Sequence, residues 1–329
     1  MRKHISAVAI ALALSAGSAL AADLPSRKEA PVYVPPPPPP LWTGFYAGLN
    51  AGYGWGATSN AGTVSLPLLD GVAAQANALD PLRQLPGTGL INGSTALANS
   101  GIANVNQNGF IGGGQIGYNY QWSPNFVVGL EADFQGSTIQ GSGNYAGASQ
   151  DSISWKDPFI PGLSPCVTNG CTLTRSAVGI GQVNAGVDWM GTVRGRVGYL
   201  VTPTTLVYAT GGLAYGEADL NATWFSPLLS PVLYQGGSWL GTTDLRTGWT
   251  AGAGVEWMFL PRWSVKAEYL YYDLGTANTA NFGPVFYTSK GTNLLSTAGY
   301  SAPFNGNVVR LGVNYHFNGG GPAPIVAKY

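Results

Sequence analysis

Charge is scarce in this chain. Asp, Glu, Lys and Arg together make up only 9% of its 329 residues, against roughly a quarter in an ordinary soluble domain. A water-facing surface with so few charges tends to associate, so a soluble globule fits poorly. The 15 Lys plus Arg are matched by 15 Asp plus Glu. That balance removes the basic excess expected of a nucleic-acid binder. Long apolar runs are also missing: no segment approaches the ~18 apolar residues of a membrane-spanning helix. The only cysteines are Cys166 and Cys171, in CVTNGC, too few ligands for a zinc site. There is no G-x-S-x-G elbow, Walker loop or metal-ligand cluster. Catalysis is therefore not expected, nor is a cofactor.

What is present is glycine, with 48 residues, and aromatics, with 10 Trp, 17 Tyr and 11 Phe. The stretch at 249–273, WTAGAGVEWMFLPRWSVKAEYLYYD, shows how they are used. Every second residue of its first half is apolar: Trp249, Ala251, Ala253, Val255, Trp257 and Phe259. After a turn at Leu260, Pro261 and Arg262, the pattern resumes with Trp263, Val265, Ala267, Tyr269 and Tyr271. Between them lie Glu256, Lys266 and Glu268, with Met258 and Leu270 as exceptions. Period-two alternation over this length predicts a β-hairpin with two unlike faces. At about ten to twelve residues, each strand exceeds the usual five or six. Aromatic residues stand at the ends of the apolar face, where a lipid-facing strand needs amphipathic rings.

The N-terminus supplies the compartment. Arg2, Lys3 and His4 precede an apolar run at 5–14 and an Ala19-Leu20-Ala21 cleavage signal. Residues 1–21 read as a secretory signal peptide. Its removal takes Arg2 and Lys3 and leaves 13 bases against 15 acids, a formal charge of −2. Residues 22–41 form a proline-rich periplasmic linker. Its unbroken tract at 35–40 favours a stiff polyproline II rod, serving as a spacer or as a dock for an envelope component.

Eight alternating strands are expected in all. They begin with Phe45, Ala47, Leu49, Ala51, Tyr53 and Trp55 outward and end with Val309, Leu311, Val313, Tyr315 and Phe317 outward. The fifth strand, at 206–217, has apolar residues on both faces. Connections alternate between short turns, each holding a proline, and long segments at about 56–109, 136–186, 218–248 and 274–306. That asymmetry is typical of outer-membrane barrels. The predicted fold is an all-β, eight-stranded antiparallel up-and-down transmembrane β-barrel at 42–317. It has short periplasmic turns, four long extracellular loops, periplasmic termini and a C-terminal tail at 318–329.

The strands turn Glu131, Asp133, Asp188, Arg194, Arg196, Glu256, Lys266, Glu268 and Arg310 inward. Eight strands leave room only for side chains, and buried charges must pair or be hydrated. The set reads as a salt-bridge plug, with a narrow hydrated pore as the alternative. Strand alternation accounts for the Glu131/Asp133 spacing without catalysis. His316, the single histidine outside the leader, falls on the lumen face near the periplasmic rim as a polar filler. In an exported chain Cys166 and Cys171 suit a loop disulfide.

The segments WTGFYAGLNAGYGWG, GLEADFQGS, DWMGTVRGRVGY, ATGGLAYG, GWTAGAGVEWMF, WSVKAEYLYYDLG and NVVRLGVNYHF occur in that order. Together they resemble the alphaproteobacterial outer-membrane immunogenic proteins, small barrels of the porin family. The quoted segments fall on seven of the eight predicted strands, all but the second, and the long loops carry none of the resemblance. It implies an abundant surface protein of the Gram-negative outer membrane, in contact with membrane lipid and lipopolysaccharide. Relatives are described as porin-like, adhesive or haemin-binding. The loops hold no histidine or methionine to ligate haemin. Tyr315 and Phe317 resemble the terminal signal read by the barrel assembly machinery, although twelve residues follow here. The expected role is structural and interactive, through envelope or extracellular partners at the loops. The alternatives are a small-solute porin and a surface receptor or adhesin. No nucleic-acid partner is expected.

Overall fold

The computed structural model describes residues 41–67, 97–155, 171–226, 236–282, 285–288, 291–294 and 296–317. The leader, almost all of the proline-rich linker and the tail at 318–329 lie outside the described residues. So does Cys166; Cys171 opens a strand, and its side chain falls outside the description.

Apart from a helical turn at 97–98 and short connections, the described chain is antiparallel β. Its strands are β1 (Gly44–Gly56), β2 (Asn60–Pro67), β3 (Gly101–Asn104), β4 (Asn108–Gln121), β5 (Phe126–Trp155) and β6 (Cys171–Thr202). They continue as β7 (Thr205–Ser226), β8 (Gly236–Leu260), β9 (Trp263–Phe282), β10 (Val285–Thr288), β11 (Gly291–Leu294) and β12 (Ser296–His316). The main sheet runs β1-β4-β5-β6-β7-β8-β9-β12, and β12 returns to β1. The closing ladder extends from Tyr46↔His316 to Gly56↔Gly306. These strands close into the expected ring, which has no edge of its own, and β2 and β3 extend the same sheet to ten strands. Short turns at 122–125, 203–204 and 261–262 join β4–β5, β6–β7 and β8–β9 at one end.

Within the ring the alternation behaves as expected. Leu49, Ile116, Leu130, Val197, Leu213 and Leu311 are among the large apolar side chains exposed on the outer face. Aromatic pairs ring that apolar band at both ends. Toward the short turns lie Phe45–Tyr118, Phe126–Tyr199 and Trp263–Tyr315. Toward the far end lie Tyr53–Phe110, Phe134–Trp189 and Trp249–Tyr271. Two aromatic girdles flanking an apolar band are what a lipid-facing barrel requires.

Beyond the far girdle the sequence reading needs correction. Much of what reads as long loop is strand. The β5–β6 ladder climbs to Trp155↔Cys171, and the β7–β8 ladder to Ser226↔Gly236. The ring does not continue upward as a ring. β4 leaves β5 after Asn108↔Gln140, and β8 parts from β9 at Trp249↔Asp273. Above those points β5-β6-β7-β8 form one sheet, and β9-β12-β2-β3 form another, with β2 hydrogen-bonded to β12. The two enclose one apolar core, with Tyr145, Val183, Leu220 and Trp224 from the first and Ala61, Val105, Tyr300 and Phe304 from the second or its connections. A two-layered sandwich therefore stands on the barrel. The segment at 98–107 lies against bare glycines of β5. A side chain at Gly143 would strike Asn104, and one at Gly147 would strike Ala98.

Three ladder irregularities sit at the changeover, the first on β5 between Gly136 and Ile139. β6 carries one extra residue, Asp188, between Val187↔Ala218 and Trp189↔Glu217. β9 carries another near Gly275, whose φ of 78° is open to glycine at little cost. A single extra residue exchanges the two faces of a strand.

Candidate functional site

The barrel interior holds eight of the nine charged residues expected there. Glu131 and Asp133 come from β5, Arg194 and Arg196 from β6, and Glu256 from β8. Lys266 and Glu268 come from β9 and Arg310 from β12, and all eight are buried. Asp188 is the exception. The bulge at that residue turns Val187 inward, where it is 1% exposed, and leaves Asp188 on the outside. Strict alternation carried through the bulge is what misplaces it. The correction leaves four acids against four bases, so the cluster is neutral.

Glycine makes room for these long side chains. Directly across the ladders, Glu131 faces Gly117, Arg196 faces Gly129 and Arg194 faces Gly212. Lys266 faces Gly312, Glu268 faces Gly254 and Arg310 faces Gly52. Each bare position frees volume in a lumen that eight strands make narrow.

The charges pair densely. Arg194 reaches Glu131 at 2.5 Å, Asp133 at 2.9 Å and Glu268 at 3.1 Å. Arg310 holds Asp133 at 2.8 Å and Glu268 at 2.6 Å. Lys266 holds Glu131 at 2.8 Å, and Arg196 holds Glu256 at 2.6 Å. Arg196 also stacks over Tyr208, 4.1 Å from the ring centroid, and donates to Tyr46 Oη at 2.9 Å. Tyr46 in turn donates to Glu131. Sequence reasoning did not assign Tyr46 and Tyr208 to the site. Their signal is phase: each is an aromatic on the lumen face of its strand.

Apolar layers close the cluster off at both ends. Toward the short turns lie Trp42, Val127, Leu200, Leu206, Tyr208 and Met258. Trp42 is 1% exposed, and its indole N–H donates to Pro203 O at 3.0 Å. It packs edge-on against His316. His316 Nε2 lies 2.9 Å from Ser264 Oγ and 3.5 Å from Glu256 Oε1. Serine and carboxylate share one ring nitrogen, so the trio cannot relay a proton along the imidazole as a catalytic triad does. At the other end the sandwich core begins with Ile111, Met190, Leu270 and Val308. Met258 and Leu270, which break the alternation of the hairpin, thus belong to the two lids.

Outside the far girdle Asp188 joins Glu217 and Asp219. Trp189 Nε1 donates to Glu217 at 2.6 Å. Partial burial, and then the neighbouring Asp219 and Glu217 charges, push the Asp188 carboxyl above its ordinary range. Tyr315 and Phe317 lie on the outer face beside the closing seam, in edge contact with each other.

Comparison with known proteins agrees with this geometry. A family described as the outer membrane protein beta-barrel domain matches residues 9–317. The 31 kDa outer-membrane immunogenic protein of Brucella melitensis biotype 1 is 33% identical over 305 residues, covering 93% of this chain and 96% of that one. The 22 kDa outer membrane protein of Rhizobium leguminosarum bv. viciae is 30% identical over 143 residues, 43% of this chain and 52% of its own. Among solved structures, the outer membrane protein OprG of Pseudomonas aeruginosa covers 83% of this chain and 97% of its own. It does so at 12% identity and a TM-score of 0.35, too loose a superposition for detailed comparison.

Proposed function

The chain belongs to the outer membrane protein beta-barrel family, and from that premise we propose that it is a sealed barrel that anchors a surface-exposed β-sandwich in the cell envelope. The short turns and both termini face the periplasm, and the sandwich faces outward, as in barrels whose short connections are periplasmic. The protein performs no catalysis. Its work is mechanical and interactive: it ties the envelope together and presents the sandwich outside the membrane. Its partners are membrane lipid, lipopolysaccharide and the barrel assembly machinery, with envelope or extracellular molecules at the loops.

One observation carries the sealed reading. The neutral ion cluster lies between two apolar layers, so among the described residues no continuous wet path leads through the lumen. The planar-bilayer conductance of the purified barrel tests it. The expected record is flat. Steady channels whose selectivity changes on Arg194→Gln or Glu131→Gln would replace this reading with that of a small-solute porin.

A second reading, surface attachment, draws on Val64, Leu66 and Ile102, which are more than 60% exposed on the outer side of β2 and β3. Isolated exposed apolar residues need no explanation, but a group of them on one hairpin often marks an interaction site. Cell-surface binding that survives deletion of 57–107 would remove this reading.

A further inference from the structure

The ion cluster is flanked at each end by buried polar atoms that meet no protein partner. Toward the short turns, Asn119 on β4 is wholly enclosed, and neither its Nδ2 nor its Oδ1 is hydrogen-bonded within the protein. Arg196 Nε is in the same condition. The two are neighbours: a methyl group placed on Gly129 would stand 2.5 Å from Asn119 Oδ1 and 3.1 Å from Arg196 Cγ. Toward the sandwich, Gln135 is 1% exposed with both amide atoms unpartnered. Asp133 Oδ1, Asn50 Oδ1 and Arg310 Nη1 are unpartnered at a similar level. Asn50 and Gln135 stand in register on either side of Gly113. Asp133 lies two residues below Gln135 and binds Arg310 through its other oxygen at 2.8 Å.

A buried amide without a partner is costly, and native proteins satisfy such groups, commonly with ordered water. We propose that bound water holds both ends of the ion cluster. One site is formed by Asn119 and Arg196, the other by Gln135, Asp133, Asn50 and Arg310. The donor and acceptor count suits water. The first site offers N–H donors from both residues and one carbonyl acceptor. The second offers the Gln135 amide and Arg310 N–H groups as donors, with three oxygens as acceptors. A water molecule both gives and takes, so it can bridge such a mixed set. The three oxygens of the second site could also suit a small cation. Two facts oppose that occupant: the cluster is already neutral, and the Arg310 guanidinium shares the place. The inference rests on the sealed reading, because static water needs the apolar lids; a flat conductance record without slow-exchanging water would overturn this inference alone.

The test uses the full chain refolded in detergent, with near-isosteric apolar variants Asn119→Leu and Gln135→Met. Water oxygen-17 relaxation dispersion reads long-lived internal water, and urea unfolding reads stability. The wild type is expected to show a slow-exchanging water contribution that falls in each variant. Each variant should also unfold at lower urea, because Arg196 Nε or Asp133 Oδ1 loses its bridge. No slow-exchanging water in the wild type, or a contribution unchanged in both variants, would overturn the proposal. Variants that unfold at higher urea would also overturn it, since removing a truly dry amide relieves a cost. A wild-type midpoint that rises with sodium but not with choline chloride would put a cation in the second site instead. Should a variant fail to refold, the wild-type dispersion measurement still decides.

Discussion

Between Leu206 and Tyr215, β7 turns Val207 and Leu213 outward and gives Thr210 and Gly212 to the lumen. Between Glu217 and Phe225 the same strand turns Glu217, Asp219, Asn221 and Thr223 outward and buries Ala218, Leu220, Ala222 and Trp224. The backbone alternation never breaks on β7; what changes is which side is greasy. Below the far girdle the protein is apolar outside and ionic inside. Above it, on β7, the order is inverted. The difference teaches that a strand's pattern reports its solvent as much as its geometry. An apolar face goes to lipid where lipid is present and to a core where water is present.

The comparison is most exposed to failure at the charges. Arg194→Met leaves Glu131, Asp133 and Glu268 short of a partner in a dry interior and should cost about 3–5 kcal/mol. Asp219→Asn on the sandwich exterior should change stability by no more than about 0.5 kcal/mol. Urea unfolding of both variants in micelles measures the contrast, and equal costs would abolish it. Next come the apolar residues. Leu220→Ala opens a cavity in the sandwich core at a cost of about 2–5 kcal/mol. Limited proteolysis should then clip the sandwich while the unboiled gel shift still reports a folded ring. If ring and sandwich melt together, they are one cooperative unit. On the outer face, Leu49→Arg places a cation among acyl chains and should cost about 2–4 kcal/mol. Asn221→Arg, facing water on β7, should be close to neutral in the same assay.

The smallest expected effect concerns pH. The folded state raises the Asp188 carboxyl pKa through its burial and the Asp219 and Glu217 charges. A raised carboxyl binds its proton more tightly folded than unfolded. Lowering the pH through the folded value therefore favours the folded state, and that gain is complete below the unfolded value. Amide protection around 187–189 and 217–219 should rise modestly from neutral toward mildly acid pH. Asp188→Asn should flatten the rise; an unchanged profile would mean the three carboxylates do not interact.

The ring itself was legible in the sequence, because lipid on one side and ions on the other produce a strong two-residue period. The turns holding Pro124, Pro203 and Pro261 were legible for the same reason, as interruptions of that period. The sandwich was not. Its first long strand continues as GSGNYAGASQ at 141–150, where the inward positions are mostly glycine because the segment at 98–107 presses against them. Bare backbone filled by a distant segment leaves no amphipathic trace. The fifth strand's mixed phase had a physical cause, the inversion at Tyr215 and Glu217. Asp188 was misplaced because a bulge is a single residue long and alters no composition. The partners Tyr46, Tyr208 and Gln115 were visible only as polar or aromatic residues on lumen faces. Nothing local says that Gln115 joins Asn50 to Asn314.

The order in which the chain is made has a bearing on the balanced interior. Glu131, Asp133, Glu256 and Glu268 precede Arg310, and Arg310 sits on β12, the strand that closes against both β9 and β1. A nascent sheet still lacking β12 carries one anion too many, with Asp133 and Glu268 missing a counter-ion. Only the completed cylinder is electrically even. Closure of the seam is thereby made self-verifying: an assembly short of its final strand retains a charge defect that water must keep solvating, and such an intermediate cannot settle into a dry wall.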